Sequence, residues 1–85
     1  MTIIEETIRT TFLEILQSSG QQLNEPLTRE IVLLRSGLDS LGFAILVARL
    51  EEVLNYDPFV QMSEPVYPQT FGDFVDIYEQ FKPTE

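Results

Sequence analysis

Apolar residues recur at helical spacing in three stretches of this chain. In the first, Ile4, Ile8, Phe12, Leu13, Ile15 and Leu16 share one side, and Glu6, Arg9, Thr10 and Gln17 hold the other. That spacing predicts a helix over 3–18. Thr2, with Glu5 three residues later, has the form of a capping box, and Gly20 after Ser18-Ser19 that of a C-terminal stop. The second stretch predicts a helix opening at Asp39 or Ser40, whose side chains can accept from the N–H groups of a first turn. Its main stripe is Phe43, Leu46, Val47, Leu50, Val53 and Leu54, and a second stripe of Leu41, Ile45 and Ala48 is rotated away from it. The third stretch opens on Thr70 with Asp73 three residues on. It continues through Phe71, Phe74, Val75, Tyr78 and Phe81 until Pro83 ends it.

The intervals between these stretches are unlike each other. The connection from Gln21 to Leu38 contains Asn24, Pro26 and Gly37, and loops of that length are uncommon in compact domains unless pinned or functional. Leu23, Leu27, Ile31, Leu33 and Leu34 are the predicted pins, with a turn of helix around Arg29–Leu33. The second helix is expected to end near Asn55-Tyr56-Asp57-Pro58, since proline disfavours helix in the residue before it. Between Phe59 and Pro68 periodicity is weak, and Pro65 and Pro68 predict something brief or irregular. The expected fold is therefore all-α: three main helices packed antiparallel, one short helix or turn, and a long loop between helices one and two. Phe12, Phe43, Phe71, Phe74 and Phe81 are assigned to core faces.

Length changes the picture only by setting scale. Eighty-five residues read as one domain over 1–85, burying about 60–65% of the unfolded surface. A hydrophobic content of 44% marks the chain as globular rather than disordered. Composition excludes more. With no cysteine and no histidine, disulfides, thiolate metal sites, cysteine nucleophiles and the usual general base are all absent. Lys82 is the single lysine, near the C-terminus, so a Ser-Lys arrangement is not expected either. The chain does not read as an enzyme. Fourteen acids against five bases leave a net charge of −9. That disfavours nucleic acid and anionic membrane and favours a basic protein partner. Met1-Thr2-Ile3-Ile4-Glu5-Glu6 lacks a basic start and a long apolar run, so no secretory signal is expected. The longest apolar stretch, Phe43 to Ala48, falls far short of the roughly 20 residues of a membrane span. A cytoplasmic location is the expectation.

The candidate chemistry lies where the long loop meets the second helix. Gly37 allows close approach of another protein, and Ser40 follows at the helix mouth, where N–H groups and the helix dipole favour an anion. From the residues alone, Ser40 reads first as the cap of that helix. Gly37-Leu38-Asp39-Ser40-Leu41, followed by an apolar helix carrying Ala48-Arg49-Leu50-Glu51-Glu52, resembles the attachment region of acyl carrier proteins, and the resemblance extends over essentially the whole chain. It implies an acyl-carrier-like bundle with a short third helix. It also implies that Ser40 carries 4'-phosphopantetheine, transferred from coenzyme A by a phosphopantetheinyl transferase. The thiol of the arm would hold acyl or aminoacyl groups as thioesters for loading and acyl-transferring enzymes.

The resemblance gives roles to neighbouring residues as well. Asp39 would help the transferase grip its substrate. Leu41, Ile45 and Ala48 would dock partners, and Glu51 and Glu52 would meet their Arg and Lys side chains. Each has a plainer reading: Asp39 as a dipole-compensating charge, the apolar residues as a widened buried face or singly exposed side chains, the glutamates as a solvated face. Acids that the fatty-acid type commonly presents two and five residues after the serine are here Gly42 and Ile45. Arg49 adds a positive charge on the same helix. These departures weigh against the general fatty-acid carrier. Asp73 and Asp76 read as surface charge near a helix N-terminus. The expectation is a monomeric, freestanding carrier. Its cargo is left open among fatty, polyketide, amino-acid and other groups, and the alternative is an unmodified helical interaction domain of the same fold.

Overall fold

The computed structural model of the protein describes residues 3–20, 23, 26–33, 39–62 and 67–83. Thr2, Leu34 and Gly37, which the sequence singles out as cap, pin and hinge, lie outside the described residues. The described chain is all-α, with four helices: α1 (Ile3–Ser18), α2 (Ser40–Leu54), α3 (Pro58–Gln61) and α4 (Phe71–Gln80).

Helix α1 spans the predicted range and buries Ile8, Phe12, Ile15 and Leu16. It also buries Thr11, which periodicity does not nominate because it is polar; its hydroxyl donates to the carbonyl of Thr7 at 2.8 Å. Gly20 follows at φ 77°, the left-handed conformation that a residue without Cβ adopts readily. Helix α2 ends on Asn55, also left-handed at φ 67°, whose N–H donates to the carbonyl of Glu51. Pro58, expected only to close α2, also opens α3. It occupies the first turn, where its missing N–H is harmless, and Asp57 caps the helix by accepting from the N–H of Phe59 at 2.9 Å. Helix α4 has the predicted box: Thr70 accepts from the N–H of Asp73, and Asp73 accepts from the N–H of Thr70.

Helix α1 packs against both α2 and α4. Leu46 and Leu50 of α2 meet the α1 residues in one core with Phe71, Phe74, Val75 and Tyr78 of α4. Two stripe assignments are corrected. Leu13 is 42% exposed and takes no part in the core. Val53 is 52% exposed; Leu54 turns partly inward instead, and Val53 lines an outer groove with Ile3, Thr7, Thr10 and Arg49. Phe81, the C-cap of α4, packs partly buried against the core as assigned, and Ile77, outside the predicted stripe, is buried as well.

The long connection is pinned as expected by Leu27, Ile31 and Leu33, with Leu23 partly buried. Around Arg29–Leu33, where a turn of helix is expected, no α-helix forms among the described residues and only Leu33 is in 3₁₀ conformation. A single turn, Ile31 N–H to the carbonyl of Thr28, gives way to an isolated antiparallel bridge between Val32 and Thr70. The backbone groups are used elsewhere. The carbonyls of Arg29 and Ile31 accept from the N–H groups of Gly72 and Phe71 at 2.9 and 2.8 Å, and the N–H of Leu33 donates to Gln69 at 3.0 Å. The connection thereby satisfies donors that the first turn of α4 leaves without an intrahelical partner. Arg29 reinforces the junction, reaching Glu5 of α1 at 3.1 Å and Asp76 of α4 at 2.5 Å. Arg9 donates to the carbonyl of Leu27 and lies 5.1 Å from the centre of the Phe71 ring.

Candidate functional site at the mouth of helix α2

The cap of α2 belongs to Asp39 and not to Ser40. Asp39 has extended backbone angles, and its carboxylate accepts from the N–H of Gly42 at 2.7 Å. Its carbonyl receives the first helical hydrogen bond, from Phe43 at 2.8 Å. Ser40 is thus the first helical residue, exposed, at the positive end of a 15-residue helix. The capping role that the sequence left open for its hydroxyl is filled by its neighbour.

Beyond the mouth, α2 has two distinct sides. Leu46 and Leu50 are buried, with Phe43, Val47 and Leu54 partly so. Asp39, Leu41, Ala44, Ile45, Ala48, Glu51 and Glu52 are all exposed. Leu41, next to Ser40, is 70% exposed and Ile45 43%. The second stripe is therefore no widening of the core. Glu51 and Glu52 stand in the last turn of α2, which holds no basic residue. Acids there face the negative end of the helix dipole, which disfavours each by about 0.3–1 kcal/mol. Helix stability does not account for them. Arg49 leans away from this face, to within 3.9 Å of Glu14 on α1.

Beside Ser40 an apolar cleft of about 180 Å³ opens, lined among the described residues by Leu33, Ser40, Phe43, Tyr67 and Pro68. Neither Tyr67 nor Pro68 is nominated by periodicity. They come from the stretch before α4, and only the tertiary fold brings them next to the serine.

The other carboxylate pair has structural employment. Asp73 completes the cap of α4, and Asp76 pairs with Arg29, whose guanidinium is held more basic than usual chiefly by that hydrogen bond. Among the described residues no three His, Cys, Asp or Glu side chains are grouped to hold a metal ion. Among them, too, no helix is long and apolar enough to cross a membrane. In comparison with known protein families, curated proteins and solved structures, the chain matches none.

Proposed function

We propose that this protein is a freestanding acyl carrier, not itself an enzyme, modified on Ser40 with 4'-phosphopantetheine. The observation that carries the reading is the division of labour at the mouth of α2. Asp39 takes the cap, which leaves the Ser40 hydroxyl exposed at a helix N-terminus within the sequence Asp39-Ser40-Leu41. The site suits the group chemically. A phosphodiester on Ser40 would place its negative charge at the positive end of the helix, and the arm would have an apolar cleft at its side. Four helices with a long connection between the first two agree with an acyl-carrier-like bundle.

When attached, the arm would supply a thiol that holds an acyl or aminoacyl group as a thioester. The chain's own part is physical. Ser40 anchors the arm, Asp39 keeps the first turn of α2 formed, and tethering raises the cargo's effective concentration at each partner. Leu41, Ile45 and Ala48 offer an apolar contact strip, bounded by Asp39 at one end and by Glu51 and Glu52 at the other. A basic partner enzyme, a transferase first of all, fits that pattern. The exposed strip also fits the second reading, an unmodified interaction domain that docks through α2. The test is intact mass after incubation with a phosphopantetheinyl transferase and coenzyme A, with peptide mapping of the modified residue. Modification confined to Ser40 is the expected result; an unchanged mass overturns the carrier reading.

A further inference from the structure

The two sides of the α1–α2 seam are filled differently. On one side Ile8, Phe12 and Ile15 of α1 meet Leu46 and Leu50 of α2 in the core. On the other, α1 presents Thr7, Thr10 and Thr11, which are too small to fill the space between the helices. A groove of about 420 Å³ remains there, with Ile3, Glu6 and Glu14 of α1 and Arg49 and Val53 of α2 on its walls. Val53 stands near the end of α2 remote from Ser40, about 20 Å along the axis at 1.5 Å per residue.

Two features of this groove go beyond an ordinary polar surface. Ile3 is 81% exposed and Val53 52%. Single exposed apolar residues are common, but these two share one groove. Along α2, Ile45, Arg49 and Val53 follow at four-residue spacing on one ridge, so the exposed strip that starts at Leu41 runs into it. The charge is also one-sided. Glu6 pairs with no cation among the described residues, and Arg49 comes no nearer to Glu14 than 3.9 Å. The groove is open along its length, whereas small-molecule sites bury about 70–90% of a ligand's surface. A segment of protein suits it better.

We propose that this groove docks an amphipathic helix of a basic partner protein. The aliphatic face of that helix lies against Ile3 and Val53, and its flanking Lys or Arg side chains meet Glu6 and Glu14. A second copy of this chain is a poor occupant, since each copy carries a net charge of −9. The proposal is independent of modification at Ser40.

The experiment titrates the full, unmodified chain with a helical peptide that carries leucine at i, i+3, i+4 and i+7 and lysine on its flanks, and follows backbone amide shifts by NMR. The shifts should centre on Thr7, Thr10 and Val53. Thr10→Arg and Glu6→Lys, both at exposed positions of α1, should each weaken binding by about tenfold, because they set like charges against the peptide. Gln61→Arg adds the same charge on α3, outside the groove, and should leave binding nearly unchanged. Absence of binding, equal binding of a peptide with the same residues scrambled, shifts centred on Leu41, or equal weakening by Gln61→Arg overturns the proposal. Shifts that move with the concentration of the chain alone would seat a second copy in the groove and overturn it too.

Discussion

Gly72 and Arg29 touch so closely that a side chain at position 72 would force one of them to move. A Cβ built on Gly72 would stand 2.9 Å from the Cβ of Arg29 and 3.0 Å from its carbonyl oxygen, the same oxygen that accepts from the N–H of Gly72 at 2.9 Å. In an ordinary helix, glycine to alanine gains about 1 kcal/mol. Here the sign reverses, because the obstructing atoms belong to backbone and Cβ and cannot swing aside. Gly72→Ala should destabilise by about 1–3 kcal/mol, measured as the midpoint shift in urea. A stabilised variant would mean that the long connection does not press on α4.

Tyr56 and Tyr78 form an asymmetric pair. The Tyr56 hydroxyl donates to the carbonyl of Tyr78 at 2.7 Å, whereas the buried Tyr78 hydroxyl has no partner among the described residues. An unmet buried hydroxyl costs about 1–3 kcal/mol. Tyr78→Phe should therefore be neutral or stabilising, while Tyr56→Phe loses about 1 kcal/mol with its hydrogen bond. Thermal denaturation of the two variants checks the order, and the reverse order would place a partner on Tyr78.

The same pair sets an alkaline limit. Burial raises both phenols above their ordinary 10.0, Tyr78 more strongly, with the carboxylates of Asp57 and Glu79 adding to the effect at Tyr78 and Tyr56 respectively. Above the unfolded phenol's value of about 10, the native chain holds more protons than the unfolded chain, so stability falls as pH rises. Below that value these groups contribute no slope. Urea unfolding across the alkaline range should show the decline, and Tyr78→Phe should make it shallower. An unchanged slope in that variant would remove Tyr78 as the cause.

The assignment of the α2 cap separates Asp39 from Ser40. Asp39→Ala should lose about 0.5–2 kcal/mol. Ser40→Ala should change stability by less than about 0.5 kcal/mol, as an exposed residue without the capping bond, while abolishing modification. Equal losses of stability would show that the hydroxyl shares the cap, and an arm mapped to Ser36 would displace the proposed attachment point.

Ile45 tests partner choice. Ile45→Glu puts an acid where the fatty-acid type of carrier has one, at a half-exposed position that should tolerate it. Use of the holo form by a fatty-acid synthase enzyme should improve, because each well-placed carboxylate raises encounter rate and registry with a basic patch. The gain should shrink with added salt, which screens exposed charges beyond about 8 Å at physiological ionic strength. Malonyl-transfer rates at low and high salt make the comparison. Equal rates for both proteins at low salt would mean that this face of α2 does not select partners.

Local chemistry made the helices and their ends legible. The stripes around Ile8, Leu46 and Phe74, the left-handed stop at Gly20 and the Thr70–Asp73 box each depend on residues within a turn or two of one another. The pattern of Leu41, Ile45 and Ala48 beside Leu46 and Leu50 was legible as two stripes with the latter inward, but whether the former widened the core or faced water was settled by where α1 and α4 lie. Tertiary contact alone decided the rest. Arg29 and Ile31 spend their carbonyls on the first turn of α4, some forty residues further along the chain, and Val32 between them bridges to Thr70. Val53 faces a groove while Leu54 packs on the core, and Tyr67 and Pro68 reach Ser40 only once the chain has closed. Helical periodicity specifies a face but not its occupant, because the free energy of covering that face is shared with segments whose approach no short-range pattern records.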